Sequence, residues 1–258
     1  MHALVGPVRA YEHWLAQYRR VWRGTIGTSL LNPILFLAAM GIGLGTLVDA
    51  SPNAPEGVRY LDFVAPGLLA AAAMQTAAAE SSFPVLGAVR WNRTYHAMLA
   101  TPLGVRDVLL GHQLFVATRV LVASAGYLAV LAAFGAVHSP LGLLAIPVAV
   151  LVGAAFAGPV MALGVSVEMG AAFPTMFRFG IMPMFLFSGT FFPVERLPAL
   201  AEWAARATPI WHGVALCRRL TLGDVEALPA LGHVGYLLLW TAAGLALARW
   251  RYGRRLSG

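Results

Sequence analysis

Six apolar windows, at about residues 29–48, 61–83, 108–136, 141–164, 172–192 and 229–249, each reach roughly the 20 residues that an α-helix needs to cross a hydrocarbon core of about 30 Å. Inside lipid every backbone amide must find its partner within the protein, so such windows fold as helices. The third window is overlong and predicts a tilted helix or one that starts in the interface. Hydrophobic residues make up 59% of the 258 and charged residues only 11%, against roughly 25% charged in a soluble domain. The chain therefore reads as an all-α integral membrane protein of one domain, 1–258, with six transmembrane helices. No short apolar core followed by a small-residue cleavage site stands at the N-terminus, so no cleavable signal is expected.

The arginines orient the spans. With the N-terminus inside, twelve arginines fall on the cytoplasmic side (Arg9, Arg19, Arg20, Arg23, Arg90, Arg93, Arg106, Arg178, Arg249, Arg251, Arg254, Arg255). Five fall outside (Arg59, Arg196, Arg206, Arg218, Arg219), and the acidic residues divide the other way. This asymmetry predicts both termini in the cytoplasm. It also accounts for the net charge of +7 without any nucleic-acid partner. All eighteen basic residues are arginine. Without a lysine the chain can build neither a P-loop nor a Schiff base, so it does not hydrolyse ATP through a P-loop of its own. The single cysteine, Cys217, excludes an internal disulfide and a cysteine metal cluster. The histidines lack metal-ligand spacing and no nucleophile–base set is visible: no metal site, catalytic residue or cofactor is expected on this chain.

Three segments break the pattern of simple spans. Residues 1–24 place Tyr11, Trp14, Leu15, Tyr18, Val21 and Trp22 at helical spacing beside arginines, which predicts a helix lying in the inner interface. The cytoplasmic loop 87–104 interleaves Arg90 and Arg93 with Trp91 and Tyr95 on a short amphipathic helix that stops at Thr101–Pro102, a candidate protein-docking surface. The external stretch 188–228 carries Pro193, Pro198 and Pro209, which interrupt any continuous helix. Between them lie a short amphipathic helix with Glu202 and Arg206 at i,i+4 and an apolar run, Ile210–Cys217, too short to span. This stretch predicts broken, re-entrant half-helices forming a lid over the outer end. Glu80 and Arg119, ionisable groups within spans, predict an intramembrane ion pair. Gly41 and Gly45 give a GxxxG spacing in the first span, a weak sign of close helix approach.

Phe187-Ser-Gly-Thr-Phe-Phe-Pro193, followed by Leu197-Pro198, resembles the signature after the fifth span of ABC-2 type transporter permeases. The loop Arg93-Thr-Tyr-His-Ala-Met-Leu-Ala-Thr-Pro102 is similar to that family's cytoplasmic coupling segment. Asn32-Pro33 and Tyr60-Leu-Asp-Phe-Val-Ala-Pro-Gly67 also fit. Within the family the likeness points to the NodJ-type lipo-oligosaccharide exporters and the daunorubicin-type drug exporters. His96 stands where many members carry a glutamate.

The resemblance implies a permease subunit in the cytoplasmic (inner) membrane, exporting an amphipathic substrate such as a lipo-oligosaccharide, glycolipid or hydrophobic drug. It implies a second permease copy, most simply a homodimer, in contact with membrane lipid. ATP and Mg would sit on a separate ABC-type ATPase subunit. Arg90, Trp91, Arg93, Tyr95, His96 and Met98 are then the ATPase-coupling candidates, and Phe187, Ser188, Gly189, Phe191, Phe192 and Pro193 the external gate. Two other classes compete. An ion-coupled secondary transporter would want several intramembrane carboxylates where only Glu80 is present, and a lipid-modifying membrane enzyme would want clustered acids or histidines.

Overall fold

The computed structural model describes residues 5–50 and 58–256, and every regular element among them is helical. We number nine: α1 (Val5–Leu37), α2 (Tyr60–Ser81), α3 (Thr94–Leu99), α4 (Val105–Ala133), α5 (Ala145–Ser166), α6 (Met182–Phe187), α7 (Ala199–Arg206), α8 (Pro209–Leu222) and α9 (Ala227–Leu256). Short helical pieces and π-helical turns extend several of them: Ala38–Leu44 and Gly45–Asp49 prolong α1, and Phe83–Leu86 and Gly87–Trp91 come after α2. Ala172–Met176 and Phe177–Ile181 lead into α6.

Among the described residues four helical runs are long and apolar enough to cross a membrane: Tyr60–Trp91, Val105–Ala133, Pro140–Ser166 and Ala227–Leu256. The windows expected at 29–48 and 172–192 correspond to shorter apolar helices, Pro33–Asp49 and Ala172–Phe187. At 1.5 Å per residue the second of these covers only about 24 Å. Its end at Phe187 has a local cause: Ser188–Gly189 turns the chain with Gly189 at φ +81°, a conformation that glycine adopts without strain.

The core lies between α2 and α5, which α4, α8 and α9 flank. Small residues let these helices touch. A methyl group added to Gly158 of α5 would stand 2.5 Å from the carbonyl carbon of Gly244 on α9, so the two backbones meet there. The sequence instead pointed to Gly41 and Gly45. Gly41 does lie against the Leu61 side chain, but a methyl on Gly45 would meet only the carbonyl of Met40 in its own helix.

Two sequence expectations change. Residues 5–24 are not separated by any break from the first apolar window: α1 is continuous to Leu37, and the helical path runs on to Asp49. Rather than standing apart as an interfacial helix, its first turns run alongside α4 in the same direction. Gly6 packs at Asp107, Ala10 at Gly111, Trp14 at Phe115, and the hydroxyls of Tyr11 and Thr118 are 3.2 Å apart. The second change is at α8. A methyl on Gly213 would collide with Val152, and Ile210, Val214, Leu216 and Cys217 are buried. This helix is wedged into the bundle against α2 and α5; only α7 keeps the exposed character of a lid, with Leu200 and Trp203 outward.

Candidate functional site

The contacts sort the bundle into two ends. One gathers the start of α1, residues 80–116, Glu168 and the last turns of α9. It carries the dense arginine sets around Arg90 and Arg249–Arg255. The opposite end gathers residues 59–63, 135–139, 189 and 218–221.

At the arginine-rich end, Pro84 determines what happens. Lacking an N–H, it cannot donate to the carbonyl of Glu80, and α2 ends at Ser81 with that oxygen free. His112 of α4 supplies the missing bond, its Nε2 lying 3.2 Å from the Glu80 oxygen. A carbonyl only accepts, so Nε2 carries the proton and Nδ1 of the neutral ring is an acceptor. The Tyr95 hydroxyl, 2.5 Å away, must therefore donate to Nδ1, and its oxygen accepts from the Tyr252 hydroxyl at 3.2 Å. The result is a one-way chain from α9 through α3 and α4 to the end of α2. Tyr95, His112 and Tyr252 are all fully buried, and the Trp14 ring lies 4.3 Å from the imidazole. Burial, with Tyr252 adding to it, pushes the Tyr95 phenol well above the usual tyrosine range, so it stays a donor.

The loop predicted to dock a partner thus has two faces. Trp91, Arg93 and His96 are exposed and Arg90 half-buried, while Tyr95 and Met98 point into the bundle. Those last two hold the segment from beneath, while the exposed residues form its outer face. Arg93, at φ +51°, makes the sharp corner from which α3 starts. Arg90 and Arg255 both reach the Glu168 carboxylate, at 3.2 and 3.3 Å, and so tie this loop to α5 and α9.

Glu80 and Arg119 meet at 2.9 Å, both largely buried, with the guanidinium 4.4 Å over the Tyr18 ring. Glu80 therefore faces α4 twice, through its carbonyl and through its carboxylate.

At the opposite end the signature turn is tightly held. Ser188 and Thr190 are buried with their hydroxyls 3.0 Å apart, and a methyl on Gly67 of α2 would stand 3.0 Å from the Thr190 Cα. Phe191 packs edge-on against Phe185 at 5.0 Å and lies 6.2 Å from Phe36. Phe192 pairs with the half-exposed Phe187, and Pro193 leads into the one-turn helix Val194–Arg196. Arg218 of α8 donates to the carbonyls of Phe63 and Gly189, at 2.9 and 2.7 Å, and lies 3.7 Å over the Phe63 ring. By its place in the sequence Arg218 is one of the five outer arginines. Its place at the end of the apolar run Ile210–Cys217 was the available signal that it is drawn inward. Nearby, Arg206 bridges Glu195 and Glu202 at 3.1 and 2.7 Å, and Asp62 is held by Arg59 and His138.

Between the ends lies a cavity of about 620 Å³ whose lining includes Phe36, Gln75, Thr76, Ser124, Tyr127 and Phe185. Its wall is mainly apolar with a few neutral polar groups, contributed by α1, α2, α4 and α6. Among the described residues no group of three or more histidine, cysteine or acidic side chains could hold a metal ion.

The family model for ABC-2 type transporters matches residues 12–221, from the first turns of α1 to the end of α8. The chain belongs to the ABC-2 type transporter family. The chain is also similar over nearly its whole length to curated members named Nodulation protein J. The protein of Rhizobium leguminosarum bv. trifolii is 34% identical over 254 residues, 95% of this chain and 94% of its own. That of Rhizobium meliloti (strain 1021) is 31% identical over 254 residues, with 95% and 94% covered. That of Bradyrhizobium diazoefficiens is 31% identical over 261 residues, with 97% of each chain covered. As an ABC-2 type transporter the protein is a multi-pass membrane protein and a transport subunit rather than an enzyme.

Proposed function

We propose that this ABC-2 type transporter is the permease subunit of an ABC exporter in the cytoplasmic membrane. It moves an amphipathic substrate outward, of the lipo-oligosaccharide, glycolipid or hydrophobic drug kind, and a separate ATPase chain binds ATP and Mg. The arginine-rich end faces the cytoplasm, both termini lie there, and Pro33–Asp49 and Ala172–Phe187 complete six spans with help from tilt and local thinning of the bilayer. Two copies assemble around the pathway. The whole chain is one domain, with residues 87–104 as its coupling loop and 188–228 as its external re-entrant segment.

The observation that carries this reading is the two-faced coupling segment. Trp91, Arg93 and His96 are presented outward on a short helix whose underside, Tyr95 and Met98, is locked into the bundle. An exposed indole beside guanidiniums on a braced element suits a protein partner. The apolar cavity with its few hydroxyl and amide groups suits a substrate with an acyl or aromatic portion.

The test is co-purification of the permease with a candidate ATPase subunit encoded beside it, then ATPase activity in lipid. Wild type is compared with Arg90→Glu/Arg93→Glu and, because Arg90 also pairs with Glu168, with Trp91→Ala alone. Association and hydrolysis by wild type, lost or uncoupled in both variants, support the reading. Retention of both by both variants places the docking surface elsewhere. Absence of any associating ATPase, with flux tracking an ion gradient, overturns it.

A further inference from the structure

We propose that Tyr95, His112 and Tyr252 form the joint through which movement of the coupling segment reaches the spans, with Tyr95 as its positioning residue. The inference rests on the proposed coupling role of residues 87–104 and goes beyond it by assigning the internal side of the segment. The three side chains come from three different helices and have no exposed surface. Their hydrogen bonds run in one direction, fixed at one end by the Glu80 carbonyl that Pro84 leaves free. No member has a spare partner to exchange for the one it holds, and no water surface is within reach of the buried hydroxyls. If α3 shifts while α4 stays, His112 Nδ1 is left bare in an apolar site. The joint therefore makes it favourable for α3, the first turns of α4 and the last turns of α9 to move together. Trp14, packed on His112, adds the start of α1 to the same body. Through Glu80 the motion reaches α2, whose carboxylate grips Arg119 one layer deeper. The exposed face of the segment receives the push, and Tyr95 passes it on.

The experiment uses the intact complex of permease and ATPase subunit in lipid nanodiscs, measuring amide hydrogen exchange with and without ATP plus vanadate. Wild type is expected to change its exchange in residues 87–99 and also in 105–116 and 248–256. Tyr95→Phe keeps ring and volume and removes only the hydroxyl. It is expected to assemble as wild type and to retain the response at 87–99, while the response at 105–116 and 248–256 falls by about threefold or more. Tyr252→Phe is expected to weaken the response at 248–256, and the double variant to be no worse than Tyr95→Phe at 105–116. A Tyr95→Phe complex that keeps the full response at 105–116 and 248–256 overturns the joint and leaves the coupling reading standing. Loss of protection at 105–116 before nucleotide is added, or failure of both single variants to assemble, reduces the cluster to packing and also overturns it. If wild type binds no ATPase, the coupling reading falls and the joint falls with it.

Discussion

Glu80 and Arg119 show what a single ionisable pair does in such a chain. Each charge is largely withdrawn from solvent and is tolerable because the other is 2.9 Å away. Removing one partner leaves the other charge uncompensated, so Arg119→Leu is expected to destabilise the protein by about 3 kcal/mol. The double variant Glu80→Gln/Arg119→Leu should recover a large part of that loss. Thermal unfolding of wild type, Arg119→Leu, Glu80→Gln and the double variant in one detergent completes the cycle. Additive losses would show that the pair is not coupled in the native state. Sequence alone suggested this pair, because charges within apolar windows are rare enough to be matched to one another. It did not suggest the neighbouring polar chain. A histidine at one end of a window is unremarkable, Tyr95 and Tyr252 lie outside the windows, and nothing local ties these two to each other across more than half the chain.

At the scale of elements, α8 and α9 are pinned by a histidine pair. His212 Nε2 lies 3.1 Å from the Arg206 carbonyl, so it carries the proton, and Nδ1 accepts from His233 Nδ1–H at 2.8 Å. The Tyr236 ring stacks on His212 at 3.9 Å. Burial first, then His233, lower the His212 pKa from 6.5 to about 4. The folded state thus resists a proton that the unfolded state accepts. The contribution is fully present above pH 6.5 and is lost as pH falls toward 4. His212 is only half-buried and Arg206 and Arg219 are the cations nearby, so solvent screening trims the effect to about 1–2 kcal/mol. The melting temperature of wild type should fall more steeply between pH 6.5 and 4 than that of His212→Gln; parallel curves would refute the assignment. Element boundaries were partly legible. Pro193, Pro198 and Pro209 marked the broken outer segment, since proline stops a helix wherever it falls. That α8 enters the bundle was not legible, because its apolar residues fit a membrane surface and a protein interior equally well.

For the whole molecule, the two ends of the bundle become the two faces of the membrane under the proposed topology. Cys217, buried in α8, is the one native thiol. In a Cys217→Ser background, Trp203→Cys on exposed α7 should react with an impermeant maleimide added to intact cells. His96→Cys on α3 should react only after the membrane is opened. The reverse pattern would invert the topology, and labelling of both from one side would exclude it. The overall class was readable because lipid imposes helices on any long apolar window. The count of spans was less readable. Hydropathy sees the window 172–192 as continuous, whereas backbone geometry at Gly189 ends its helix at Phe187.

Pro84 and His112 act on one carbonyl, so what happens to one in descent bears on the other. A lineage that gained the proline alone would carry a bare carbonyl at the end of a buried helix. One that gained the histidine alone would lose nothing, because the two lone pairs of the Glu80 carbonyl can accept from the amide of residue 84 and from the imidazole together. The proline is harmful without the histidine but not the reverse, so a histidine at 112 is expected wherever a proline stands at 84. Had the proline arrived first, a water molecule or a small polar side chain at 112 would have had to stand in for the imidazole.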